Sequence, residues 1–513
     1  MFRYTGTDIL ILAIVSSVIM FTNLGGTPLL DPDEPVYAQT SKEMIQYNDY
    51  ISPQIFGEYW YDKPPMYYWL VAAAYNIFGI NEFSARFPSA FLAVAGVLVL
   101  YLFGRELFSR RAAMTGALVL ATSIEYFYLG KAAVTDITFN FCLMVSLLSF
   151  ITKRYYLFYI FAGLATVTKG PIGLLFPGII IFLYLLCNRS FRKLGDMKLS
   201  AGIIICSVVA LPWYIAMYQI HGNAFIETFL GLNNVIRFTS PEHPEGMLWY
   251  YFVPVLIIGF FPWTAILVQS IWASLTKSNY EQRTKLIFLI IWTASIFLFF
   301  SVSRTKLISY ILPMFPPLAL IVGWYIDTLW AHWWERNTGW AILLAALYLL
   351  LSTGMFLVIR LMPELTTGII VSAILFGIMT IVSVSFIWQG NYGRALKTQV
   401  IGMTLFSIVL ITVVFSAAAP RFATKNIARE FAMAYDGQSP VYITKFLHPG
   451  FTFYAGIYGR EIKDGGELSE ALNFPGKAYF IVRQPEYLRL PANEQQVLSI
   501  MAQTDEKMVL MKK

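Results

Sequence analysis

Apolar runs long enough to cross a bilayer recur along the first 420 residues, separated by short polar stretches. About 20 apolar residues cross the hydrocarbon layer as a helix. The pattern predicts spans at 8–24, 83–103, 112–129, 135–151, 155–168, 170–187, 200–219, 249–271, 285–303, 306–327, 338–360, 366–388 and 397–418. Thirteen is an odd number, so the termini are expected on opposite sides. Residues 25–82 form a first long loop and about 220–248 a second. Within the first loop, Asp33 to Asn48 reads as a helix with Tyr37, Met44 and Ile45 on one side, lying along the membrane surface. Residues 64–80 read as another, rich in the Tyr and Trp that favour the interface.

Beyond about residue 420 the period changes. Short strand-like runs (VYIT, KAYFIVR, KMVLM) alternate with helical stretches at Asn426–Tyr435 and Glu494–Gln503. The expected fold is a polytopic α-helical membrane domain over 1–420, with juxtamembrane helices, followed by a small α/β domain over 421–513.

Composition agrees with lipid as the solvent: 57% of the chain is hydrophobic, 13% is charged, and the mean hydropathy is +0.61. The net charge of +7 does not form a nucleic-acid patch. Its basic residues cluster in alternate loops: Arg105, Arg110 and Arg111; Lys153 and Arg154; Arg189, Arg192, Lys193 and Lys198; Lys277, Arg283 and Lys285; Arg336, Arg394 and Lys397. The opposite loops carry isolated ones (Arg86, Lys131, Lys169, Arg237, Arg360). By the positive-inside rule, the N-terminus is cytoplasmic. The two long loops and the C-terminal domain are then extracytoplasmic. Residues 7–21 read as an uncleaved signal anchor. Cys142, Cys187 and Cys206 fall inside apolar runs, as packing residues rather than zinc ligands or disulfides.

Charges near membrane depth are costly and mark candidate sites. In this topology they gather on one side. Asp31, Asp33 and Glu34 follow the first span, Asp62 and Lys63 lie in the first loop, and Lys131, Asp136 and Lys169 sit at outer turns. Arg237 and His243 lie in the second long loop, with Arg304, Lys306 and Tyr310 at the tenth span. Cations of this kind bind phosphate. A carboxylate deprotonates a hydroxyl or stabilises an oxocarbenium-like centre. Phosphate and sugar chemistry on the outer face points to a polyprenyl-phosphate sugar, since nucleotide donors are expected on the cytoplasmic side, and no GxxxxGK or GxGxxG cradle is present. Blander readings stay open: helix caps for Asp33, Glu34 and Asp136, an exposed loop position for Lys63, and snorkelling for Lys169 and Lys306. Transport is the contrasting function class, but no internal repeat is visible.

The segments DPDEPVYAQTSKEM (31–44), YDKPPMYYWL (61–70), FGINEFSARFPSA (78–90), AAVTD (132–136), GLATVTKGPIGLL (163–175), NNVIRF (233–238), HPEGMLWYY (243–251) and KLISYILPMFPPLAL (306–320) occur in that order. Together they resemble the bacterial branch of the GT-C membrane glycosyltransferases, which includes the lipid A aminoarabinose transferases and the protein O-mannosyltransferases. The resemblance implies Asp33 as the essential first-loop acid, Asp136 as a second acid, and Glu34 beside Asp33 as a further catalytic candidate. It implies Lys63 as the ligand of the carrier phosphate, assisted by Arg237, Tyr310 and Lys306. Tyr37, Asp62, Tyr67, Lys169, His243 and Arg304 are weaker substrate-binding candidates. The implied reaction moves a sugar from a polyprenyl phosphate to lipid A or another envelope glycolipid, or alternatively to a protein hydroxyl, with inversion. The expected assembly is a monomer among membrane lipids. The metal is unassigned; a divalent ion stays open, with His243 in SPEHPEG its candidate ligand. The chain departs from the aminoarabinose pattern at Pro35-Val36, Asp62 and Asn233-Asn234.

Overall fold

A computed structural model describes residues 2–236, 248–331 and 336–512. Contacts divide the chain into two compact units. The first comprises Met1–Thr22, Tyr61–Tyr67 and Pro88–Val413; the second comprises Asn23–Trp60, Tyr68–Phe87 and Val414–Lys513.

The first unit is a helical membrane bundle. All thirteen predicted stretches fall on helices. Among the described residues, seven helices are long and apolar enough to cross alone, or nine crossings if each of two bent pairs is one span. The helix Phe315–Ala331 is apolar on all sides, so it is buried nearly all round and forms the centre of the bundle. It packs closely on Arg110–Ala121 because glycines face each other. A methyl group on Gly323 would fall 2.6 Å from the Gly116 amide nitrogen. By contrast, Thr338–Ile359 turns Leu349 and Leu350 outward, 70% and 64% exposed, as a lipid-facing helix does.

Two spans are broken. Arg110–Ala121 and Ile124–Gly130 meet at 63°, and Phe252–Gly259 and Thr264–Thr276 at 105°. The hydroxyls of Thr122 and Ser123 satisfy the carbonyls of Leu118 (2.6 Å) and Val119 (2.7 Å) at the first break. The breaks touch: Trp263 Nε1 donates to Thr122 Oγ1 at 3.0 Å.

In the second unit, the first loop supplies the helix Asp33–Gln46 and a hairpin, β1 (Gln54–Ile55) and β2 (Glu58–Tyr59). Phe56 and Gly57 both have positive φ, as a tight two-residue hairpin turn demands. The Glu43 carboxylate accepts from both of their amides, at 2.8 and 3.0 Å. The helix differs from the surface-lying amphipath expected. Besides Met44 it buries Gln39, Thr40, Ser41 and Glu43, so its polar side is inside as well.

The C-terminal region of this unit forms a five-stranded sheet from β3 (Val441–Thr444), β4 (Arg460–Ile462), β5 (Ala478–Arg483), β6 (Leu498–Thr504) and β7 (Lys507–Lys512), in the order β4-β3-β5-β7-β6. β3 runs parallel to β4 and β5, and β7 is antiparallel to both β5 and β6. Residues alternate between two cores. Val441, Ile443, Tyr479 and Ile481 pack on the helices Lys425–Ala434 and His448–Ala455, while Tyr442, Phe480 and Val482 face Leu468 and Leu490. The helix expected over Glu494–Gln503 is corrected. It stops at Gln496, and Leu498–Thr504 is an edge strand. Asp505, with φ of +52°, makes the tight turn that pairs this strand with Lys507–Lys512.

Candidate active site

The first unit gathers several sequence-predicted residues at the ends of short helices. Asp136 opens the helix Asp136–Ile151 and Lys169 closes Tyr155–Lys169. Each charge sits where its helix dipole favours it. Gly170, with φ of +86°, ends the second helix, and Pro171 leads into Ile172–Cys187. The turn is compressed: a methyl on Gly173 would fall 2.7 Å from Thr166 Cα. This geometry aims Lys169 Nζ at Asp136 Oδ1, 2.6 Å away, with both side chains 11% exposed. The ammonium lies 5.3 Å from the ring centre of Tyr310 and 5.6 Å from that of Phe139.

Hydrogen bonds tie this pair to the KPP segment. Tyr67 Oη and Ser89 Oγ are 3.0 Å apart, and Ser89 Oγ donates to the Val134 carbonyl at 3.3 Å. Thr135 Oγ1 then reaches the Thr168 carbonyl at 3.4 Å. Tyr67 is therefore a buried anchor whose hydroxyl is engaged in the framework. Ahead of it, Lys63 Nζ meets Asp62 Oδ1 at 3.0 Å, both half-buried. Tyr61 packs its ring 5.3 Å from His221 and 5.8 Å from Phe225 on the helix Leu199–Ile226.

Lys306 is buried; Arg304, two residues earlier, is exposed. Lys131 is engaged elsewhere. It caps the first helix by donating to the carbonyls of Met20 (2.9 Å) and Thr22 (2.6 Å). Arg237 and His243 lie outside the described residues.

The second unit holds the first-loop acids, and it separates their environments. Asp33 is exposed at the first position of its helix. Glu34 is buried, and its two oxygens meet Arg86 Nε (2.8 Å) and Nη2 (2.7 Å) in a bidentate pair. Arg86 also donates to the carbonyls of Leu24, Thr27 and Pro28, and the Leu30 amide donates to Glu34. Glu34 thus fixes the path of the loop that leads to Asp33. Tyr37, three residues after Glu34, stacks obliquely 5.7 Å from Tyr68.

Asp31 is the third acid of this stretch. It accepts from the Thr424 hydroxyl, and its amide donates to the Phe422 carbonyl at 3.0 Å. Burial raises its carboxyl pKa to about 7, opposed by the Thr424 hydrogen bond and the positive charge of Lys507.

One acid escaped sequence reasoning. Glu125, beside the first helix break, is 3% exposed, and neither carboxylate oxygen has a hydrogen-bond partner among the described residues. Gly259 of the other broken span lies directly against it. A lone glutamate inside an apolar run was the available signal. Among the described residues no cluster of three or more His, Cys, Asp or Glu is placed to hold a metal ion.

Residues 62–215 match the dolichyl-phosphate-mannose-protein mannosyltransferase family. An uncharacterised Aquifex aeolicus protein is 30% identical over 319 residues, covering 61% of this chain and 62% of that one. The undecaprenyl phosphate-alpha-4-amino-4-deoxy-L-arabinose arabinosyl transferase of Edwardsiella ictaluri is 28% identical over 336 residues, covering 62% and 59%.

Over these stretches the chain is similar to polyprenyl-phosphate-dependent membrane glycosyltransferases.

The likeness of fold extends over nearly the whole chain. ArnT from Cupriavidus metallidurans, solved bound to undecaprenyl phosphate, superposes with a TM-score of 0.80 at 20% identity over 98% of this chain and 97% of that one. The Archaeoglobus fulgidus oligosaccharyltransferase gives a TM-score of 0.56 at 14% identity, covering 95% and 70%. In sequence, the chain spans about three fifths of the length of the curated relatives it matches.

Proposed function

We propose that this protein transfers a sugar from a polyprenyl phosphate to a lipid A-like glycolipid on the extracytoplasmic face of the bacterial inner membrane. The observation that carries this reading is the half-buried Lys169–Asp136 pair beside Tyr310, linked through Tyr67, Ser89 and Val134 to the segment bearing Lys63. It offers cations to a phosphate and a carboxylate to a sugar in a setting shielded from water. Relatives that act on undecaprenyl-phosphate aminoarabinose favour a lipid acceptor over a protein hydroxyl.

In this scheme an acceptor oxygen attacks the anomeric carbon as the bond to the carrier phosphate breaks, and the phosphate departs with the electron pair. Lys63 holds that phosphate, with Arg237, Tyr310 and Lys306 assisting. Asp33 takes the acceptor's proton, or stabilises positive charge on the sugar where the acceptor is already anionic. Asp136 serves as the second acid and Lys169 as its partner. A single displacement inverts the anomeric configuration. The accompanying topology is thirteen spans with the N-terminus cytoplasmic and residues 421–513 outside, in a monomer.

Mass spectrometry of lipid A and envelope glycans from cells with and without the gene tests this function. A sugar-sized mass on lipid A that disappears with the gene is expected. An unchanged lipid A beside glycoproteins that lose a hexose would transfer the assignment to protein O-glycosylation.

A further inference from the structure

A groove of about 440 Å³ opens between the helices Tyr155–Lys169, Ile172–Cys187 and Leu199–Ile226. Its shape follows from four residues. Pro177 interrupts the backbone bonding of the middle helix, and Gly178 beside it faces open space, with no atom within 4 Å of where a Cβ would lie. On the facing helix, Gly202 packs against the Tyr159 ring, and Tyr159 Oη donates to the Met197 carbonyl at 3.0 Å. The lining is almost wholly apolar, and several of its side chains stay exposed, among them Phe182 at 55% and Ile203 at 66%. The groove therefore opens to lipid, as a slot for a hydrocarbon chain.

One end of the slot carries charge. Phe191, Leu194 and Met197 line it, and the same 188–198 loop holds Arg189, Arg192, Lys193 and Lys198 against a single acid, Asp196. Arg189, Arg192 and Lys198 are exposed, and Lys198 Nζ donates to Tyr156 Oη at 3.0 Å. A chain slot ending in a net-positive rim is complementary to a lipid with an acyl tail and an anionic head. We propose that this groove binds an anionic diacyl phospholipid, with one acyl chain along Gly178 and its phosphate at Arg192 and Lys198. The site lies at the opposite end of the helix Tyr155–Lys169 from Lys169, and the proposal is independent of the transfer reaction.

Native mass spectrometry of the purified full chain, titrated with phosphatidylglycerol and with phosphatidylcholine of identical chains, tests it. The wild type is expected to retain phosphatidylglycerol at roughly tenfold lower lipid concentration than phosphatidylcholine. Gly178→Leu fills the open space and should abolish retention of both without lowering the melting temperature. The double variant Arg192→Gln/Lys198→Gln alters only exposed side chains and should erase the difference between the two lipids. Equal retention of the two lipids by the wild type overturns the proposal. So does unchanged phosphatidylglycerol retention in Gly178→Leu. If undecaprenyl phosphate is the lipid that Gly178→Leu loses, the groove belongs to a polyprenyl chain and the proposal falls while the transfer function stands.

Discussion

Asp33 and Glu34 are neighbours in sequence with opposite environments. One carboxylate is exposed and the other is locked to Arg86. Their substitutions should therefore fail differently. Asp33→Asn keeps shape and removes charge, so transfer is expected to fall roughly a hundredfold or more with the melting temperature unchanged. Glu34→Gln leaves a buried guanidinium without its counter-charge, a loss of about 3–5 kcal/mol. Its expected signature is a lowered melting temperature, with activity lost in proportion to folded protein. Thermal-shift and transfer assays on both variants separate the roles, and near-normal transfer by Asp33→Asn would show that the wrong acid has been chosen. Sequence placed both acids in one candidate set because nothing in DEP announces a partner 52 residues away.

Asp31 gives the second unit a pH dependence. Its carboxyl pKa is about 7 in the folded protein and near the ordinary aspartate value when unfolded. Between those values the folded state holds the extra proton, so this residue's contribution is full at low pH and is lost as pH rises through about 7. Melting curves from pH 4.5 to 8.5 should show stability falling as pH rises towards about 7 and levelling off above it. Asp31→Asn, which cannot ionise, should flatten the fall; an unchanged slope would assign the titration to another group.

At the scale of elements, the Lys169–Asp136 pair depends on a turn between two short helices. Gly170 adopts a φ that disfavours other residues, and Gly173 admits the backbone of Thr166 at van der Waals limits. Gly173→Ala should push the helices apart, displace Lys169 and cost both stability and transfer. Gly178→Ala, about one and a half helix turns further along, meets open space and should be neutral. Expression and melting temperature of the two variants provide the check. The apolar runs made these helices legible, and TKGP marked the turn, but the broken spans were not legible. A bend at Thr122-Ser123 leaves hydropathy unchanged, and only the Trp263 contact and the partnerless Glu125 expose it. The strand Leu498–Thr504 was misread for a related reason. An edge strand with exposed positions lacks the continuous buried apolar run of β5, so its polar residues resemble a helix face.

For the whole molecule, composition and charge asymmetry were enough to read a multi-pass membrane protein with a small sheet-containing region. The grouping of first-loop residues 23–60 and 68–87 with the C-terminal region was invisible, because contacts 343 to 425 residues apart leave no periodic trace. Arg86, Glu82 and Tyr454 carry that grouping; Lys425 Nζ meets Glu82 Oε1 at 2.5 Å and Tyr454 accepts from the Leu29 amide at 2.8 Å. The proposed sidedness has a direct check. With exposed Cys187 replaced by serine, a cysteine at Met433 (83% exposed) should react with an impermeant maleimide in cells whose outer membrane alone is permeabilised. Labelling only after the inner membrane is opened would reverse the topology. The most direct measurement of the central claim is reconstituted transfer. Purified protein in vesicles, given a polyprenyl-phosphate aminosugar and lipid A, is followed by mass spectrometry of both lipids. The account predicts a sugar-sized mass gain on lipid A matched by release of free polyprenyl phosphate, with both changes lost in Lys63→Ala and Asp33→Asn. Transfer that proceeds unchanged in both variants, or a donor hydrolysed with no gain on any acceptor, would contradict it.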